Sequence, residues 1–246
     1  MENNTYYLEF LYNRHSDIVW TSSILIIIGC VIGIIGNAIV IYFYFFRIKE
    51  RGERYFIPWL AVVDLLGCIV LPINRVLTTK FMYHFPGQTT CRLLSFLNIN
   101  FPGISGHMLL LISIQRYLLV CKPIRPKMTR IWKRLSFGIV CLVTVAYSSP
   151  LLFIKRFLKT TVVYMNLNIT AEVCTYPEDL KPSLRAYTTI LLVIVVTNIL
   201  LAAGFYIPVL KRISLLFRAK KYKLKKIGSF NSNRGSLYKA SRAIVL

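Results

Sequence analysis

The chain has 246 residues, 56% of them hydrophobic, and a mean hydropathy of +0.58. Thirty-one Lys and Arg against nine Asp and Glu give a formal net charge of +22. So much apolar material, gathered into long blocks, excludes an ordinary soluble domain. The cations border those blocks instead of forming a basic module of their own. That argues against nucleic-acid binding and for contact with anionic inner-leaflet lipid or an intracellular partner.

Residues 1–19 are polar or mixed and read as an extracellular tail carrying the sequon Asn3-Asn4-Thr5. Five apolar blocks follow, each long enough for the roughly 20 helical residues that cross a bilayer core. Helices are the expected form, because only helices and closed barrels satisfy the backbone in lipid. The first block, 20–46, is too long for the apolar core of a cleaved leader and reads as a signal anchor. It carries Gly36-Asn37 in an aliphatic run.

The second block, 55–77, holds Asp64 within LAVVDLL. A carboxylate at the bilayer centre costs about 2.5–3.5 kcal/mol on insertion scales. Asp64 is therefore expected to face the bundle interior, with Asn37 as a hydrogen-bond partner. It then serves as an ion or proton site, or simply as polar glue between helices. The third block, 91–121, contains Asn98, Ser105 and His107 and ends in SIQRYLLVC. No second His, Cys or carboxylate lies one turn from His107, which favours a packing role over a metal site. The fourth block is 135–154 and the fifth 186–210, the latter with Thr197 and Asn198. Pro58, Pro72, Pro102, Pro150 and Pro208 each lie within a block. Each removes a backbone hydrogen bond, and the kinks open space suited to a ligand.

Between blocks four and five lies a long loop with a second sequon, Asn168-Ile169-Thr170, and with Cys174. From Lys211 to Leu246 there are eleven cations and no acid. The middle of that segment, rich in Ser, Asn, Gly and Lys, reads as a flexible inner loop. Its last residues, KASRAIVL, resemble the start of a sixth helix, so the chain is expected to be a fragment. Twenty-two of the 31 cations fall on one side of the alternating spans. The positive-inside rule then places the N-terminus outside and the C-terminus inside. Both sequons lie on that outer side.

The cysteines divide by location. Cys30, Cys68 and Cys141 lie within spans and Cys121 at an inner end, where small apolar packing is the ordinary use; Cys121 is also placed for palmitoylation. Cys91 and Cys174 both fall on the outer, oxidising side, and a disulfide between them is the natural pairing. No nucleophile–base pairing or metal-ligand cluster is present, so an enzyme is not expected. A five-span transporter would call for internal repeats or ionisable residues on several helices. Asp64 is the single acid within the spans, and no repeat is found.

Taken in order, these features resemble the rhodopsin-like (class A) G-protein-coupled receptors. Gly36-Asn37 is similar to the first-helix GN motif, and Leu60, Ala61 and Asp64 to LAxxD of the second. Cys91 and Cys174 match the family's outer disulfide. SIQRY, residues 113–117, resembles the end of the third helix, with Pro123 in the loop beyond, and Pro150 is similar to the proline closing the fourth. The resemblance implies an all-α membrane fold, five helices of a seven-helix bundle. It also implies an extracellular ligand and a heterotrimeric G protein as partners. Asp64, Ser105 and Asn37 would form a polar site for an allosteric sodium ion, with no other cofactor. Gln115, Arg116 and Tyr117 would form the G-protein switch, and Asn98 and Phe101 would line the ligand pocket.

The departures carry information. Gln115 replaces the acid that restrains the arginine in resting receptors, so a loosely held resting state is expected. Trp132 lies too early to be the tryptophan of the fourth helix. In the fifth, Tyr206 is taken as the inner tyrosine, and Asn198 replaces the usual proline. Asn98 stands where amine receptors carry an aspartate, which favours a peptide-like ligand. A truncated, non-signalling form is the alternative.

Overall fold

A computed structural model of the chain describes residues 2–48, 54–81, 84–122, 128–164 and 167–243; side chains are described from Trp20 onward and not at 160, 162–164, 167–169, 219–221 or 223–243. Helix α1 runs Glu2–Tyr42, followed by a π-helical turn Phe43–Arg47 that stops where Ile48 turns extended. The segment expected as a tail is thus the start of α1. No Pro or Gly interrupts the sequence before Gly29, so nothing local stops the helix.

Helix α2 spans Phe56–Lys80 and α3 Gln88–Cys121. Pro58 is tolerated in the first turn of α2, where backbone N–H groups lack intrahelical partners in any case. Helix α4 spans Arg130–Ser148 and begins five residues before the expected start, because the Thr129 hydroxyl accepts from the Trp132 backbone N–H at 3.4 Å. The turn at Ser149–Pro150 separates it from the short α5, Leu151–Ile154.

The loop that follows is an antiparallel hairpin, β1 Arg156–Tyr164 and β2 Leu167–Thr175, in register from Arg156 opposite Thr175 to Tyr164 opposite Leu167. After a 3₁₀ turn, Glu178–Leu180, helix α6 runs Lys181–Ala243. The flexible loop expected beyond residue 210 is helical here. No proline follows Pro208, and Lys, Arg, Leu and Ala are all strong helix formers, so the two glycines do not end it. Among the described residues, five helices are long and apolar enough to cross a membrane, and they contain the five expected blocks.

The chain divides into two compact units, residues 1–112 with 128–200, and residues 113–127 with 201–246. The core of the first unit is built from Phe56, Val63, Ile104, Met108 and Val140, with the Trp59 and Phe137 rings 5.6 Å apart. Close approach depends on glycine at Gly33, where a Cβ would fall 2.6 Å from the Cys68 Sγ. Helices α1 and α2 are also tied by Ser23–Thr79 at 3.4 Å and by Arg75 Nη2 donating to the Ser22 hydroxyl at 2.7 Å. In the second unit, Tyr117 packs on Phe205 with ring centroids 5.5 Å apart. Large apolar side chains point outward on α1 and α6, Leu25 at 67% and Leu200 at 66% exposure. Such surfaces suit lipid and not water.

Candidate functional site

Cys91 lies in the first turn of α3 and Cys174 near the end of β2. They form a disulfide with Cα atoms 5.7 Å apart across 83 residues of sequence. The hairpin is held a second time by the Phe85 backbone N–H donating to the Glu172 carbonyl at 2.9 Å. Glu172 also pairs with Lys159 Nζ at 3.3 Å and lies 3.8 Å from His84 Nδ1. The pairing expected from the outer location of both cysteines is therefore present, and it anchors a hairpin the sequence reading missed. The signal was there. RFLKTTVVY and LNITAEVCT are β-branched runs two residues apart.

A cavity of about 550 Å³ brings together Asn37, Asp64, Cys68, Phe101 and Ser105. The Ser105 side chain interacts with the Asp64 carboxyl. Asn37 shares the cavity wall, but its Nδ2 donates to the Gly33 carbonyl of its own helix at 3.0 Å, so the expected link to Asp64 is replaced by a local one. An amide four residues from a carbonyl on the same helix meets it without tertiary help, and this local bond wins. One carboxylate among neutral oxygens is a donor set suited to a singly charged hard cation, so these residues fit a sodium ion.

A second cavity, of about 340 Å³, is lined by Asn98, His107, Tyr147, Leu191, Val195 and Asn198 among others. Phe101, expected beside Asn98, lines the Asp64 cavity instead. Three residues along a helix turn a side chain by about 300°, enough to carry it past the boundary between two clefts. His107 Nδ1 lies 2.8 Å from the Gly103 carbonyl, and its ring is 5.9 Å from that of Tyr147. This is the packing role expected for His107. Tyr147 was not singled out in the sequence. Its position three residues before Pro150, at the end of a span, was the available hint. The Tyr187 hydroxyl donates to the Tyr147 carbonyl at 2.9 Å and joins the start of α6 to the end of α4.

In the second unit, Gln115 is 5% exposed and Arg116 half-buried. The Tyr117 ring meets that of Phe205 at a 60° tilt, while Lys122 Nζ lies 5.9 Å from the Tyr117 ring centroid. Cys91 and Arg116 are 25 residues apart on the single helix α3. That is about 37 Å along its axis, enough to cross a bilayer core. The side chains of Asn3 and Asn168 lie outside the described residues.

Among the described residues, five helices long and apolar enough to cross a membrane and an α3 stapled by a disulfide near its start define a polytopic membrane protein. The family model for the seven-transmembrane receptors of the rhodopsin family matches residues 13–244. The chain belongs to that family, which comprises receptors and not enzymes. It is 30% identical over 198 residues to the C3a anaphylatoxin chemotactic receptor of Oncorhynchus mykiss, a match covering 78% of this chain and 51% of that one. It is 31% identical over 123 residues to trace amine-associated receptor 1 of Macaca mulatta, covering 49% of this chain and 35% of that one. Over 94 residues it is 36% identical to the C5a anaphylatoxin chemotactic receptor 1 of Gorilla gorilla gorilla, covering 38% and 27%. The chain thus spans about half the length of the trout receptor and less of the other two.

Proposed function

We propose that this chain forms the first five helices of a receptor that binds an extracellular, peptide-like ligand and, as a whole protein, activates a heterotrimeric G protein. The N-terminus faces outward and the basic start of the α6 extension faces the cytoplasm, in line with the positive-inside distribution. The observation that carries the ligand class is Asn98 on the wall of the 340 Å³ cavity. A neutral amide there offers hydrogen bonds but no counter-charge for an ammonium group. Two of the relatives quoted above are receptors named for the anaphylatoxins C3a and C5a, which supports the same reading.

The trace amine-associated relative favours a second reading, an amine ligand. The two are separated by reconstituting the complete receptor with a G protein and measuring nucleotide exchange against peptide pools and amine pools. Stimulation by peptides alone is expected; stimulation by amines alone overturns the peptide reading.

Asp64, Ser105 and Asn37 would hold a sodium ion, which would supply a fixed positive charge beside the carboxylate. Gln115, Arg116 and Tyr117 would form the cytoplasmic switch. Asn3 and Asn168 would carry glycans on the outer side.

A further inference from the structure

Helices α1 and α2 approach closely at Gly33, and the approach brings two thiols together. Cys30 lies three residues before Gly33, on the same face of α1. A Cβ at Gly33 would fall 2.6 Å from the Cys68 Sγ. The Cys68 sulfur therefore rests on the turn of α1 that carries Cys30, and the two thiols share a hydrogen bond. Both cysteines are free, and both line the 550 Å³ cavity that holds Asp64. The register of the two helices is fixed on either side of them. The Ser23–Thr79 and Arg75–Ser22 bonds lie toward one end. Asn37 and Asp64 share the cavity wall toward the other.

Small apolar packing is the ordinary use of a thiol within a span, and Cys141, set against the Val140 core, fits it. Cys30 and Cys68 differ because each meets the other. A zinc ion would need further ligands, and among the described residues no three His, Cys, Asp or Glu side chains are grouped to hold a metal ion. Two sulfurs held together beside a cavity are instead arranged for two-electron oxidation, in which one thiol is oxidised and its neighbour resolves it. The cavity is many times the roughly 30 Å³ that a water molecule occupies in the liquid, so a small reagent can enter. A disulfide is neutral, and its formation buries no charge in the membrane interior.

We propose that Cys30 and Cys68 form an oxidation site for a small hydroperoxide, ROOH, and that the product is a second disulfide joining α1 to α2 on the wall of the Asp64 cavity. Cys68 is the less buried of the two and reacts first, with Cys30, 6% exposed, as the resolving thiol. The Cys68 sulfur attacks the outer peroxide oxygen. The O–O bond breaks and the thiol proton passes to the departing alkoxide, leaving a sulfenic acid and ROH. The Cys30 sulfur then attacks the Cys68 sulfur. An S–S bond forms, the S–O bond breaks, and the Cys30 proton leaves with the hydroxyl as water. The two sulfurs give up two electrons and the peroxide takes them. The bond fixes an α1–α2 spacing that otherwise rests on packing at Gly33 and on hydroxyl hydrogen bonds. None of this depends on the class of extracellular ligand.

The test exposes the chain in nanodiscs to tert-butyl hydroperoxide, alkylates the remaining thiols in denaturant and digests with trypsin without reduction. Trypsin cuts after Arg47, Lys49, Arg51 and Arg54, which frees Cys30 and Cys68 on separate peptides. Mass spectrometry should find these two peptides joined, lighter than their sum by the two thiol hydrogens, and dithiothreitol should separate them. Alkylation of Cys30 and of Cys68 should be lost together. Cys141→Ala should leave the joined pair in place. In Cys30→Ala, with no resolving thiol, Cys68 should climb to the sulfinic acid instead. The joined Cys91 and Cys174 peptides in the same digest show that each variant keeps its fold. No joined Cys30 and Cys68 peptides after exhaustive oxidation of the unaltered chain overturns the proposal. So does Cys68 reaching the sulfinic acid there while Cys30 remains open to alkylation, because a thiol within reach would have trapped the sulfenic acid first.

Discussion

Gln115 is buried at the end of SIQRY, directly before a half-buried arginine. A neutral amide can hydrogen-bond but supplies no charge to hold a guanidinium. In the complete receptor, Gln115→Asp should lower basal nucleotide exchange by about fivefold or more, the scale of an ordinary conformational coupling. Unchanged or raised basal exchange would show that the missing acid does not set the resting state. Asp64 offers a second residue-scale measurement. Sodium, if held at this carboxylate as proposed, would stabilise the folded chain by mass action, about 1.4 kcal/mol at tenfold above its Kd. The unaltered chain should therefore melt at a higher temperature in sodium chloride than in choline chloride, and Asp64→Asn should melt at the same temperature in both. A sodium effect that persists in the variant would place the ion elsewhere. Asp64 was legible in the sequence because a carboxylate at bilayer depth must face the bundle interior, whereas Ser105 beside it was implied only by the family resemblance. The orientation of Asn37 was not legible, because a carbonyl on its own helix competes on equal terms with a partner across the gap.

At the scale of elements, the hairpin depends on its disulfide. The link closes an 83-residue separation, and removing such a bond costs about 2–5 kcal/mol in the chain-entropy account. The double variant Cys91→Ser with Cys174→Ser should melt several degrees lower in nanodiscs. A melting temperature equal to that of the unaltered chain would mean that the backbone bond from Phe85 to Glu172 suffices. The spans themselves were legible from apolar length alone. Their ends were not: Thr129 starts α4 early by capping it, and α1 and α6 run past their apolar blocks because nothing in the flanking sequence breaks them.

For the whole molecule, orientation is the open quantity, and the charge distribution sets the expectation. Translated into microsomes, the chain should acquire two glycans, one lost in Asn3→Gln and the other in Asn168→Gln, read as mobility shifts reversed by endoglycosidase. An unglycosylated product would contradict an outward N-terminus. The family match extends over residues 13–244, almost the entire chain.

The sequence by itself determined the membrane class, the five spans, the disulfide partners and the family. Each of these follows from apolar run length, from sidedness of charge or from motif order, quantities that are local or additive along the chain. Only the tertiary structure decided which polar residues share a cavity, separating Phe101 from Asn98 and bringing Tyr147 beside His107. It alone placed the Lys155 backbone carbonyl against Arg92, residues 63 positions apart. Helical rotation and a single cross-link set those meetings, and neither leaves a mark in composition.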